Sequence, residues 1–167
     1  MKKISFLAFA DLGVHGLFIG QLIGRWGNFM NVEAYGGPTT LPWRMCGESI
    51  AQNMLDQGYV DQAGYQAILS GNLGVHPTFL YESLWNLAGL FLVYHLGKKR
   101  RFDGQCFLFY VFWYGLGRAW IEGLRTDQLK VPGTTLAVSQ LLSAALVGAA
   151  VGILHYKHSK LKKQKNI

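Results

Sequence analysis

Cysteine is nearly absent from this chain. Cys46 and Cys106 are the only two in 167 residues, and they stand too far apart to suggest a disulfide framework or a cysteine metal site. Charge is scarce as well: 15% of the residues are charged and only nine are acidic, whereas half are apolar and 21 are glycine. That balance fits neither a disordered chain nor an ordinary soluble domain with a solvated surface. The sequence shows no internal repeat and no low-complexity linker. It also lacks the aromatic-interleaved basic groove of a nucleic-acid binder. The apolar stretch after Met1-Lys2-Lys3 is interrupted by Asp11 and Gly13 and has no convincing small-x-small cleavage site. It is therefore expected to be retained as a cytoplasmic end and not removed as a signal peptide.

What charge there is carries a message. The net charge is +7, which points to an anionic partner. Of the sixteen Lys and Arg residues, four form Lys98-Lys99-Arg100-Arg101 and five fall between Lys157 and Lys165. Both clusters abut apolar runs, where juxtamembrane anchors sit, so the expected partner is a lipid bilayer and not nucleic acid. Four stretches approach the roughly 20 apolar residues that a spanning helix needs: about 12–30, 78–96, 105–123 and 136–156. The expected fold is an all-α integral membrane protein of one domain with about four transmembrane helices. A polar insert, about 36–75, lies between the first two, with helical patterns in ESIAQNML and DQAGYQAIL. Lys2 and Lys3, the Lys98–Arg101 turn and the basic tail 157–167 all fall on one side if there are four spans. That side is expected to be cytoplasmic and the insert extracytoplasmic.

This topology gathers the polar residues that are costly in hydrocarbon. Arg25, Asn28, Asn31 and Glu33 lie at the outer end of the first span, and His76, Tyr81 and Glu82 at the outer start of the second. Tyr114, Arg118, Glu122 and Arg125 follow one stripe of the third helix and its exit. Two arrangements fit the stripe: an ion-pair ladder joining helices, or an anion site. In the second, Arg25, Arg118 and Arg125 outnumber Glu122 and a phosphate completes the charge balance. All these groups approach one face, which argues against a channel crossing the membrane. His15 is expected toward the cytoplasmic half, away from them, and His95, His155 and His158 at cytoplasmic ends. His76, before Pro77, reads as a loop residue at the start of a helix. The spacing of Gly16, Gly20 and Gly24, repeated in Gly148 and Gly152, predicts close helix packing. Gly27 and Gly36-Gly37-Pro38 are expected to let the backbone leave helical geometry beside Asn28 and Asn31.

Three segments carry a resemblance. GRWGNFMNVEAYGGP (24–38) resembles the signature of the bacterial prolipoprotein diacylglyceryl transferase family, approximately GRxGNFxNxExxG. HPTFLYESLWN (76–86) resembles that family's HPxxLYE block, and FWYGLGRAWIEGLRTD (112–127) its third block, in the same order and spacing. The resemblance implies a multi-pass enzyme of the bacterial cytoplasmic (inner) membrane with its active face extracytoplasmic. Its partners would be phosphatidylglycerol and the lipobox peptide of a preprolipoprotein, with no cofactor and no metal. It implies catalytic roles for Arg25, Arg118, Tyr114 and Glu122. Arg25 would also bind substrate, together with Asn28, Asn31, Glu33, Gly36, His76, Glu82 and Arg125. Within that set Arg25 and Arg118 neutralise the phosphodiester, while Glu33 and Glu122 orient the arginines. The family's His-Gly-Gly block, whose His is the usual candidate for activating the thiol, has no counterpart before Gly24. The chain is therefore expected to correspond to the C-terminal portion of the enzyme, with impaired activity. The alternative is a truncated, non-catalytic paralogue that binds anionic phospholipid or another membrane subunit.

Overall fold

Ser5 opens the first helix by accepting a hydrogen bond from Ala8 N, the side-chain cap that an N-terminus needs. The computed structural model describes residues 5–126, 128–131, 133–134 and 136–165. Four long helices cover the four apolar runs: α1 (Phe6–Met30), α4 (Thr78–Lys98), α5 (Gln105–Glu122) and α6 (Val138–Lys165). Between α1 and α4 lie two short helices, α2 (Glu48–Asp56) and α3 (Gln62–Leu69). Two-residue strands β1 (Pro38–Thr39) and β2 (Gly74–Val75) pair antiparallel there, and isolated antiparallel bridges join Gly36 to Arg125, Met45 to Val75 and Lys130 to Ala137. The architecture is thus predominantly helical. By length and composition, α1 and α6 qualify as membrane-crossing helices. The ionisable groups that α4 and α5 carry at intervals lower their apolarity.

Side-chain chemistry sets the order of packing. The helices associate as α1 on α4, α4 on α5 and α5 on α6. Between α1 and α4, Trp26 Nε1 donates to Ser83 Oγ at 3.2 Å, and Ser83 Oγ donates to Leu22 O at 3.1 Å. Between α4 and α5, Trp85 and Trp113 stack at 4.4 Å. Each indole donates to the other's carbonyl, at 3.0 and 2.9 Å. Two bulky donors thereby satisfy one another where water is scarce. Between α5 and α6, Gln140 Nε2 donates to Ala119 O at 3.1 Å. Asp11, buried on α1, accepts from Gly104 N at 2.8 Å and Phe107 N at 2.9 Å, so one helix caps the start of another. The insert has its own small core of Tyr35, Ile50, Ala51, Met54, Ile68 and Val75.

Two glycine expectations fail. No atom stands within 4 Å of a methyl group added at Gly16, Gly20, Gly24, Gly148 or Gly152. Their spacing is right for packing, but α1 turns its other face, through Phe18 and Trp26, toward α4. The close approaches occur at Gly89 against Phe18, Gly115 against Val147 and Ser143, and Gly117 against Trp85. Gly27 does not break α1 either, because Asn31 N still reaches Gly27 O at 2.9 Å. The chain turns at Val32 instead. Glu33 N bonds Asn28 O at 2.9 Å and Val32 N bonds Phe29 O at 3.1 Å, a Schellman closure. Val32 has φ 54° and Ala34 φ 56°, left-handed backbone at positions with no glycine. These differences give a paired test. Gly117→Ala should destabilise the detergent-solubilised protein by about 1–3 kcal/mol, through overpacking against Trp85. Gly20→Ala should leave the melting temperature unchanged or raise it.

Candidate active site

The end of α1, the start of α4 and the exit of α5 meet at a backbone joint. Gly36 N donates to His76 O at 2.9 Å and Gly37 N to Leu124 O at 3.0 Å. A side chain at Gly36 would lie 2.7 Å from both His76 Cβ and Leu124 O, so this position requires glycine for close approach. The amide of Gly36, one of the residues expected to bind substrate, is thus engaged within the protein. Thr78 Oγ1 also donates to Ala34 O, fixing the turn after α1 onto the start of α4.

Below this joint sits a buried carboxylate with three cations around it. Glu82 on α4 is 7% exposed. Its Oε2 lies 2.7 Å from Arg25 Nε on α1. Its Oε1 lies 3.8 Å from Arg118 Nη1 on α5 and 3.9 Å from Arg125 Nη1 just beyond it. Arg118 Nη2 in turn approaches Glu122 Oε2 at 2.8 Å, one helical turn away. That approach is Coulombic and not aligned as a hydrogen bond, so Glu122 Oε2 remains a buried acceptor with no donor directed at it. Among the described ion pairs, three guanidinium groups meet at Glu82 and one of them also meets Glu122. The buried Glu82 thus performs the orienting role expected of Glu33, whose described contact is with Asn31 Nδ2 at 3.2 Å. Asn31 and Glu33 are both exposed on the turn, and among the described ion pairs none involves Glu33.

The remaining residues form a second layer. Tyr114 lies one turn before Arg118, stacked on Tyr110 at 5.8 Å. Tyr114, Glu82, Asn86 and Arg118 border a space of only about 10 Å³, room for about one water molecule. The accessible side of the cluster is the exposed edges of Arg25 and Arg118, where each side chain keeps 21–22% accessibility. Asn28 is half-buried on the last turn of α1, its carbonyl closing the helix. His76 Nδ1 lies 3.2 Å from Tyr81 Oη, and Trp43 Nε1 donates to the same oxygen at 2.9 Å. His15 lies ten residues before Arg25 on α1, about 15 Å away along the axis. Among the described residues, no group of three His, Cys, Asp or Glu side chains converges as metal ligands.

Asn86, Trp43 and Trp85 escaped the sequence reading. Asn86 stands one helical turn after Glu82, on the same buried face, and its Oδ1 is buried without a partner. That i, i+4 spacing was the available signal.

The prolipoprotein diacylglyceryl transferase family model matches residues 1–156. The chain belongs to this family. It is 40% identical over 162 residues to the phosphatidylglycerol–prolipoprotein diacylglyceryl transferase of Lysinibacillus sphaericus, covering 97% of this chain and 56% of that relative. The Listeria innocua enzyme of the same name is 42% identical, over 96% of this chain and 53% of its own length. That of Acaryochloris marina is 41% identical, over 92% and 51%. The chain thus spans about half the length of the curated relatives it matches. Within the family's signature segments, Arg25, Glu82 and Arg118 come from three different blocks and converge on one ion-pair cluster. Removing its central charge tests the cluster. Glu82→Gln should destabilise the protein by about 3–5 kcal/mol, because three arginines would lose their shared counter-ion. Glu33→Gln, on the exposed turn, should leave the unfolding midpoint essentially unchanged.

Proposed function

We propose that this chain supplies the lipid-phosphate clamp of an enzyme that moves the diacylglyceryl group of phosphatidylglycerol to the cysteine thiol of a preprolipoprotein. The observation that carries this reading is the convergence of Arg25 and Arg118 on Glu82, with an edge of each guanidinium left accessible. Planar guanidinium edges held in this way suit a phosphate oxygen pair. Membership of the family, and relatives named phosphatidylglycerol–prolipoprotein diacylglyceryl transferase, support phosphatidylglycerol as the anion bound there.

In the proposed reaction the substrate cysteine is the nucleophile. Its thiol loses a proton, a carbon–sulfur bond forms at the glyceryl carbon, and the carbon–oxygen bond to phosphate breaks. Glycerol 1-phosphate leaves with the electron pair. Arg25 and Arg118 neutralise the charge growing on that phosphate, and Glu82 and Glu122 hold the guanidiniums in place before substrate arrives, which is electrostatic preorganisation. Asn28 donates to headgroup oxygens, and Tyr114 positions the phosphate from the facing turn. Asn31 and Glu33, on the outer turn, contact the headgroup or the peptide. His76, through Tyr81, braces the entry.

We further propose that α1, α4, α5 and α6 all cross a bacterial cytoplasmic membrane, with the 36–75 insert and the clamp on the extracytoplasmic side. Large apolar side chains stand exposed along these helices, among them Leu12 (73%), Phe91 (64%) and Leu142 (61%), as a lipid-facing surface requires. The basic turn 98–101 and the tail of α6 fall at the other end, on the side where cations accumulate.

The test is transfer itself. In the full-length enzyme context, Arg25→Ala or Arg118→Ala should lower diacylglyceryl transfer to a lipobox peptide by about 10²–10³-fold. Membrane insertion, followed by protease protection, should be intact. Normal turnover in both variants refutes the clamp. Lipid binding without release of glycerol phosphate would assign a binding role in place of catalysis.

A further inference from the structure

At the end of the bundle opposite the arginine cluster, residues of α4, α5 and α6 line a cleft of about 600 Å³. Phe109, Phe112, Val151 and Leu154 form its inner wall, and His155, His158 and Lys162 its outer rim. On α6 the residues Val151, Leu154, His158 and Lys162 follow one stripe of helical spacing, so polarity rises along a single face over about 16 Å. Among the described residues that line the cleft there is no carboxylate.

The neighbouring elements add to its positive potential. Phe102 in the α4–α5 turn packs edge-on against His158 at 6.0 Å, and Lys157 Nζ lies 6.0 Å over the same ring. These contacts draw Lys98-Lys99-Arg100-Arg101 toward the cationic end of α6. The two carboxylates at this end are already engaged. Asp11 pairs with Arg100 and accepts from the start of α5; Asp103 pairs with Arg100 and accepts from Ser5 Oγ at 2.8 Å.

We propose that this cleft binds an anionic glycerophospholipid of the cytoplasmic leaflet, at a site separate from the outer-face clamp. The inference rests on the membrane orientation argued above. A phospholipid presents acyl chains and phosphate in the same order as the apolar wall and cationic rim present their complements. Basic pockets between helices on the cytoplasmic side recognise anionic headgroups in this way. A soluble phosphate would leave Phe109, Phe112, Val151 and Leu154 uncovered. A partner helix would have to bring carboxylates to the height of His158 and Lys162. Gln105 lines this cleft and Glu122 belongs to the clamp, so α5 separates the two sites by about 25 Å.

Native mass spectrometry of the full chain in detergent, with phosphatidylglycerol or phosphatidylcholine added at equal concentration, tests the proposal. The wild type should retain phosphatidylglycerol in preference to phosphatidylcholine. In the Arg25→Ala/Arg118→Ala background, which removes the clamp's own phosphatidylglycerol, the double variant His158→Gln/Lys162→Gln should lower that retention at least about fivefold. Leu154→Trp, which fills the cleft without altering charge, should lower it as well, and circular dichroism should show unchanged helicity in both. Arg25→Ala/Arg118→Ala should leave the cleft-bound lipid in place, so failure of the clamp and failure of the cleft give different results. Undiminished retention in the cleft variants overturns the proposal. So does equal retention of phosphatidylcholine, displacement of the lipid by inorganic phosphate, or a protein helix crosslinking in the cleft in its place.

Discussion

A carboxylate buried in an apolar helix bundle has to be neutralised or paired, and Glu82 is paired with guanidinium groups from three separate segments. Much of the site's geometry follows from that requirement. Arg25 is fixed relative to α4, Arg118 relative to both α4 and α5, and Arg125 is drawn back over the end of α5. A buried pair contributes little net stability, because desolvation offsets the attraction. Its effect lies in register. Rotating α1 about its axis, or sliding α5 along α4, would strand a charge away from water. The Trp85–Trp113 pair reinforces the same register from below, since each indole has the other's carbonyl as its acceptor.

The opposite end of the bundle solves a similar problem with a different partner. Asp11 is also buried and also on a mainly apolar helix, but it meets backbone amides at the start of α5 in addition to Arg100. Those amides have no acceptor within their own helix, so the carboxylate and the helix end satisfy each other. The cluster at Glu82 differs in kind. Its Arg25 and Arg118 keep exposed edges, whereas Asp11 is almost fully buried.

The apolar runs marked α1, α4, α5 and α6 in the sequence because length and hydropathy are local properties. ESIAQNML and DQAGYQAIL marked α2 and α3 for the same reason. The stripe of Tyr114, Arg118 and Glu122 was legible too, since i, i+4 neighbours need only one helix to meet. Partnership between helices was not legible. Glu33 and Glu82 look equally able to orient Arg25 in one dimension, and the choice depends on which face α1 presents to α4. The same rotation explains the glycines: Gly16, Gly20 and Gly24 have the packing spacing but face away, while Gly89 and Gly117 take the close contacts. Gly36 was recognisable as special but not as a joint, because its neighbours His76 and Leu124 are distant in sequence.

The segment 24–38 divides at this joint into two functional halves. Its helical half places Arg25 in the buried cluster and Asn28 on the facing turn. Its second half leaves the helix through two left-handed residues that are not glycine. Such backbone costs on the order of 1–3 kcal/mol per residue and persists only where the surroundings over-determine it. Here they do: Asn28 O and Phe29 O hold the turn from one side, while Thr78 Oγ1 and the Gly36–His76 bond hold it from the other. Glycine at Val32 would relax the backbone, but it would also loosen the step from Asn31, the C-cap of α1, to Glu33. A β-branched residue there restricts that step. The strained turn thus holds Glu33 in constant relation to α1 and its Arg25, where a flexible one would not.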